Sequence, residues 1–206
     1  MKISPTLTEV KEIAKTGKYD ILPVSCEILS DFITPIEAMR ILQNVSTHCY
    51  LLESAQANEA WGRYTFLGYD PKLEINCIDG HMKLGKLSVE TENPSEYIRQ
   101  ILSEYKSPKF DYLPSFTGGL VGYFSYDYLG YKEKSIRGKA KDTEDFKDVD
   151  LMLFDKVIAF DNLCQKIILI ANMSLDAPET GYNKAIVELK QLRELLMHGE
   201  KKQNMG

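Results

Sequence analysis

The sequence is short of the residue patterns that usually carry catalysis. Its three histidines, His48, His81 and His198, stand far apart, in no H-x-x-x-H or H-E-x-x-H spacing, so a zinc site has no support. The four cysteines, Cys26, Cys49, Cys77 and Cys164, form no C-x-x-C. Each lies in or beside an apolar, strand-like run, which points to four buried, reduced thiols rather than a disulfide framework. There is no G-x-x-x-x-G-K-[ST], no G-x-S-x-G and no G-x-G-x-x-G. Thirty acidic residues against 25 basic ones leave a net charge of −5, with no long basic run to follow a phosphate backbone. Nucleic acid is therefore not expected as a ligand. Apolar stretches are broken within a few residues by Lys, Asp, Gln or Asn, far short of the roughly 20 residues a membrane-spanning helix needs. Met1 to Val10 carries no apolar core of a secretory signal, and the expected location is cytoplasmic.

What is present is an ordinary globular composition. At 206 residues and 44% hydrophobic content, the chain can bury one sizeable core, as one large domain or two tightly joined lobes. Thr6 and Glu9 form a capping box ahead of Leu7, Val10, Ile13 and Ala14, and Gly17 is a natural stop. Ile21 to Leu29 reads as a strand with Pro23 near its start. Thr34, Pro35 and Glu37 open a second helix with Ala38, Met39, Leu42 and Val45 expected inward. Strands follow at Cys49–Leu52 and Arg63–Tyr69. Asp79-Gly80 joins Lys72–Ile78 to His81–Leu84 as a two-residue hairpin, closed by a polar stretch, Lys86 to Asn93. A third helix runs from Asn93, Pro94 and Glu96 to about Tyr105, and a glycine-rich strand from Gly118 to Tyr126. Residues 132–148 read as a polar surface loop. Val149–Asp161 and Gln165–Ala171 read as one long hairpin turning near Asn162. A last helix from about Asp176 presents Ala185, Leu189, Leu192 and Leu196 on one face, and residues 199–206 are expected to fray. Hairpins with irregularly interspersed helices give an α+β class, a mostly antiparallel sheet with helices packed on it.

Four segments stand out chemically. Leu51-Leu52-Glu53-Ser54 ends an apolar strand, and Arg63 opens the strand Tyr64 to Tyr69 after a short polar loop. If those strands pair, a carboxylate, a hydroxyl and a guanidinium meet beside aromatic walls. That set suits a zwitterion such as an amino acid. The competing reading is a surface Glu53–Arg63 ion pair at a sheet end, with Ser54 starting a turn. In the third segment, Gly118, Gly119 and Gly122 sit inside a strand, where a bulge or close backbone approach would require them. No Lys-Ser/Thr pair or helix start follows, so phosphate binding is disfavoured, and Tyr123, Phe124 and Tyr126 are expected to cover tight core packing. In the fourth, Asp155 and Asp161 are too far apart along an extended strand to act as a catalytic pair.

Together these segments resemble anthranilate synthase component I. That family carries L-L-E-S, R-Y-S-F-[IL]-G-x-D-P, P-x-F-x-G-G-x-V-G-Y-x-x-Y-D and F-D-x-x-I-x-F-D runs in order. Here they stand at 51–54, 63–71, 114–127 and within 150–161, with Thr65 in place of the serine. The resemblance covers about Leu7 to Ala171 and implies that residues 1–206 form a single domain, the N-terminal, regulatory half of such a protein and half of a larger α/β sandwich. The family's enzyme is a lyase that converts chorismate and ammonia to anthranilate and pyruvate with Mg²⁺. A glutamine amidotransferase subunit supplies the ammonia. The resemblance places the chorismate and Mg²⁺ residues in a C-terminal chorismate-binding half that this chain lacks. It therefore implies no cofactor and no catalysis in this chain alone. It also implies part of an L-tryptophan feedback site, with Ser54 as the tryptophan-contacting serine, Glu53 the adjacent acid, Leu52 part of the wall and Arg63 a nearby basic residue. Two other readings are the corresponding half of aminodeoxychorismate synthase component I, which shares the Gly-Gly-x-x-Gly-Tyr run, and a stand-alone amino-acid-binding module.

Overall fold

A computed structural model describes residues 1–53, 62–133 and 146–202. The chain divides into two compact units, unit 1 (residues 1–70, 105–118 and 155–206) and unit 2 (residues 71–104 and 119–154). Among the described residues the class is α+β with antiparallel pairing throughout, as expected.

Unit 1 is a six-stranded sheet with three helices. Its strands are β1 (Ile3–Ser4), β2 (Ile21–Leu29), β3 (Cys49–Leu52), β4 (Tyr64–Tyr69), and two that follow the chain's return from unit 2, β10 (Lys156–Asp161) and β11 (Lys166–Ser174). The spatial order is β1-β2-β11-β10-β4-β3. Helices α1 (Leu7–Lys15), α2 (Pro35–Val45) and α4 (Pro178–His198) contribute to the larger core, which is lined from the sheet by Leu22, Val24, Cys26, Leu67, Ile158, Phe160, Ile167, Leu169 and Ala171. Both expected capping boxes are formed: the Glu9 carboxylate accepts from the Thr6 backbone at 2.7 Å and Glu37 from the Thr34 backbone at 3.0 Å. Gly17 takes φ +62, as a helix stop requires. On α4, Ala185, Leu189, Leu192 and Leu196 are all buried, with Tyr182.

The alternate residues of the sheet face the other way. Val157, Ala159, Ile168 and Ile170 are buried there beneath Phe110, Leu113 and Phe116. This period-2 division of β10 and β11 between two cores explains why they read as nearly continuous apolar runs.

Unit 2 is a five-stranded sheet in the order β7-β6-β5-β9-β8, from β5 (Leu73–Ile78), β6 (His81–Leu84), β7 (Leu87–Glu90), β8 (Gly119–Phe124) and β9 (Val149–Phe154), with α3 (Pro94–Ser103) and a 3-10 turn at Tyr126–Tyr131. Asp79 and Gly80 both take positive φ, 49° and 86°, which a type I′ hairpin demands. Asp148 is buried and accepts the Tyr131 hydroxyl at 2.6 Å and the Asp79 amide at 2.9 Å, which fastens that hairpin.

Several expectations are corrected. Val149–Asp161 is not one strand: β9 and β10 break at Asp155 and belong to different sheets. The polar stretch after His81–Leu84 contains β7, where Val89 pairs with Met82. Val45 is exposed, and Ile41 takes the inward place on α2. Tyr123, Phe124 and Tyr126 are exposed at 41%, 49% and 74%, so they do not cover a core. Cys164 is exposed and Cys49 only partly buried, though all four thiols are free. Residues 199–202 lie along α2, with the Lys201 ammonium 2.6 Å from Glu37 and the Lys202 amide donating to the Arg40 carbonyl at 3.1 Å. Residues 134–145 of the polar loop and 203–206 of the tail lie outside the described residues.

Candidate functional site

The site lies in unit 1, where edge strand β3 pairs with β4. Tyr50 stands opposite Gly68 and Leu52 opposite Phe66, and alternation puts Tyr64, Phe66 and Gly68 on the face shared by Tyr50 and Leu52. The glycine has a reason. A Cβ at position 68 would meet Tyr50 Cε1 at 2.2 Å, so the tyrosine ring lies directly on the backbone of β4. Phe116 stands edge-on to Phe66, with ring centres 5.6 Å apart, and to Tyr50 at 6.4 Å. Tyr64 and Phe66 are 5.8 Å apart. The result is an aromatic wall that is half buried, ending at the exposed Leu52 and the exposed Glu53. Burial raises the phenol pKa of Tyr50 and of Tyr64, so both remain neutral at physiological pH.

Arg63 is committed elsewhere than to Glu53. Its Nε donates to Asp161 Oδ1 at 3.1 Å and one Nη to Oδ2 at 2.7 Å, a bidentate fork on a carboxylate with no exposed side-chain surface. The same Nη reaches Cys164 Sγ at 3.6 Å, and the guanidinium lies 4.9 Å over the Tyr64 ring. Asp161 Oδ1 also accepts the backbone amides of Leu163 and Cys164, at 3.2 and 3.0 Å. Burial alone would raise the Asp161 pKa; the hydrogen bonds from Arg63 and the Cys164 amide outweigh it and hold the carboxyl below its ordinary value. The bond to Asp161 pushes Arg63 further up, so the pair stays ionised. This arrangement leaves Nη1 as the guanidinium edge without a partner among the described residues.

Of the four residues singled out from sequence, Leu52 and Glu53 thus sit at the end of β3, and Arg63 sits just before β4, three residues before the Phe66 that faces Leu52. Ser54 lies outside the described residues. Asp161 as the partner of Arg63 is not signalled in the sequence: the two are 98 positions apart, and no local spacing marks the pair. The aromatic wall had a readable signal in the Tyr64-x-Phe66-x-Gly68 alternation. Among the described residues, no group of three or more His, Cys, Asp or Glu side chains converges as metal ligands would, and no helix is long and apolar enough to cross a membrane.

No protein-family model matches the chain. It is similar to anthranilate synthase component 1 of Acetivibrio thermocellus, 34% identical over 198 residues, covering 93% of this chain and 39% of that protein. Anthranilate synthase component 1 of Pseudomonas aeruginosa is 36% identical over 196 residues, covering 91% of this chain and 39% of its own length. Among solved structures, anthranilate synthase component I from Streptococcus pneumoniae superposes with a TM-score of 0.52 at 25% identity, over 81% of this chain and 36% of that one. The chain therefore spans about two fifths of the length of the curated relatives it matches.

Proposed function

We propose, from the premise that the chain is a homologue of anthranilate synthase component I along about 93% of its length, that it is the regulatory, N-terminal half of such a protein and carries part of an L-tryptophan feedback site. The observation that carries this reading is the coverage: the match takes in nearly all of this chain and only 39% of the relatives. A segment of that size serves the family's reaction as one part of a larger whole. The reaction would be the formation of anthranilate and pyruvate from chorismate and ammonia. The partners would be a chorismate-binding half and a glutamine amidotransferase subunit. Both relatives bear the anthranilate synthase name, which favours this branch over aminodeoxychorismate synthase.

The end of β3 supports the effector reading in chemical terms. An indole can rest on Leu52 at the margin of the aromatic wall, a carboxylate such as Glu53 can meet an ammonium, and a hydroxyl such as Ser54 or the outer edge of Arg63 can meet the amino acid's carboxylate. In this reading the Asp161 fork orients Arg63 instead of competing with the ligand, because it occupies one edge of the guanidinium and leaves another. The Mg²⁺ of the family's reaction has no fitting donor group among the described residues, so no catalytic step is assigned to them.

The test combines this chain with the segment of the Acetivibrio thermocellus relative outside the match, supplying chorismate, Mg²⁺ and ammonia. Anthranilate fluorescence is expected from the combination, suppressed by L-tryptophan, and absent from the chain alone. Turnover by the chain alone would overturn the assignment.

A further inference from the structure

The chain passes between its two units at four places, 70/71, 104/105, 118/119 and 154/155. Residues beside every one of them are fastened to the same end of the unit 1 sheet, by contacts that all lie inside unit 1. Asn172, two residues before the end of β11 and opposite Pro23 of β2, is the hub. Its carboxamide nitrogen donates to the Thr117 carbonyl at 2.7 Å and to the Asp155 carbonyl at 3.0 Å. Its backbone amide donates to the same Asp155 oxygen at 2.8 Å. Thr117 stands just before the third crossing and Asp155 just after the fourth. The next residue, Lys156, places its ammonium 2.9 Å from Asp70, the last residue before the first crossing. Only 16% of the Lys156 side-chain surface is exposed, and its ammonium lies 4.9 Å over the Tyr69 ring. Two residues on from the second crossing, the Lys106 carbonyl accepts from the Asp20 and Ile21 amides at 2.8 and 3.1 Å, and the Lys106 amide donates to Asp20 Oδ2 at 3.1 Å.

These backbone positions are not ordinary strand. Asp70 takes φ +51, and Gly118 and Gly119 take φ +148 and +133. An aspartate in the left-handed region is held there by its surroundings: here its amide also donates to Ser46 Oγ at 3.0 Å.

We propose that Asn172, with the Lys156–Asp70 pair beside it, is a conformational fastener that fixes the third, fourth and first crossings to unit 1. A carboxamide suits the post because one nitrogen with two hydrogens can serve two carbonyl oxygens at once. A carboxylate of the same shape offers those oxygens only repulsion. The fastener acts locally. Ile168 and Ile170 lie on the same strand and are held by packing beneath Leu113, with no hydrogen bond to the Asn172 side chain.

The test is hydrogen exchange on the whole chain, read by mass spectrometry in peptides covering 114–122, 152–158 and 166–171. Asn172→Ala and Asn172→Asp are each expected to speed exchange in the first two peptides at least tenfold at neutral pH and to leave 166–171 unchanged. Lys156→Met is expected to act on peptides covering 68–72. Unchanged exchange at the crossings in both Asn172 variants would overturn the proposal. So would equal acceleration of 166–171, which marks a general loss of stability. If Asn172→Ala fails to fold, the isosteric Asn172→Asp carries the test, and the same two outcomes decide it.

Discussion

Arg63→Met separates a structural guanidinium from one that serves only a ligand. The substitution keeps a long apolar stem over Tyr64 and removes both bonds to Asp161, whose side chain has no exposed surface. Stripping one partner from a buried ion pair costs about 3–5 kcal/mol. Two facts reduce that here. Arg63 is itself 36% exposed, so water screens the pair, and Asp161 keeps the Leu163 and Cys164 amides. The expected loss is therefore about 1–3 kcal/mol, or a Tm lower by roughly 2–12 °C for a chain of this size. The pH dependence gives a second handle. Asp161 has a folded pKa below its unfolded value near 3.9. Its contribution is thus fully present above the unfolded value and is lost as pH falls through the folded one. Urea unfolding of both proteins at pH 7 and near pH 3 should show a gap that narrows in acid. The cost of Arg63→Met combined with Asp161→Asn should be smaller than the sum of the single costs. A wild-type urea midpoint for Arg63→Met at pH 7, or a gap indifferent to pH, would show that the Arg63–Asp161 fork does not stabilise the fold.

Three further outcomes are expected. Gly68→Ala should cost about 1–3 kcal/mol in urea unfolding, because the new methyl would lie 2.2 Å from Tyr50 Cε1 and the ring must give way. Glu37, held down to a pKa of about 2 by Lys201 and the Thr34 cap, should stabilise the chain above pH 4.5 and lose that effect as pH falls toward 2; Glu37→Gln should abolish this portion of the acid dependence in thermal melts. Ser54→Phe should weaken tryptophan inhibition of the combined enzyme at least tenfold, since overpacking costs about 1–3 kcal/mol and about 1.4 kcal/mol is tenfold, while uninhibited anthranilate formation stays near wild type.

The elements that could be read from sequence are those whose signals are local. The two capping boxes, the Asp79-Gly80 turn and the Leu189-Leu192-Leu196 stripe each fix an element within a few residues, and each is found where expected. The break at Asp155 was not legible, because β9 and β10 are both apolar and it is partners far along the chain, β5 for β9 and β4 for β10, that divide them between sheets. The strand β7 was hidden for the opposite reason: it is an edge strand, largely exposed, and reads as polar. At the candidate site the segment 51–54 and Arg63 could be picked out by type and spacing, but the partner of Arg63 lies on β10, and nothing in a one-dimensional pattern links them. The exposed Tyr123, Phe124 and Tyr126 show the converse limit. Aromatic residues in and just after a glycine-rich strand read as core, yet Tyr123 and Phe124 stand at the end of edge strand β8 and Tyr126 opens the 3-10 turn beyond it, and all three are exposed among the described residues.

The most direct test of the proposed function is calorimetric titration of L-tryptophan into this chain alone and into this chain combined with the remaining segment of a relative. If the proposed feedback role holds, the combination binds saturably, at least tenfold more weakly with Ser54→Phe, and the chain alone, with only part of the proposed site, does not bind. Full-strength binding by the isolated chain would instead identify a self-sufficient amino-acid-binding module, and no binding by an active combination would contradict the feedback role.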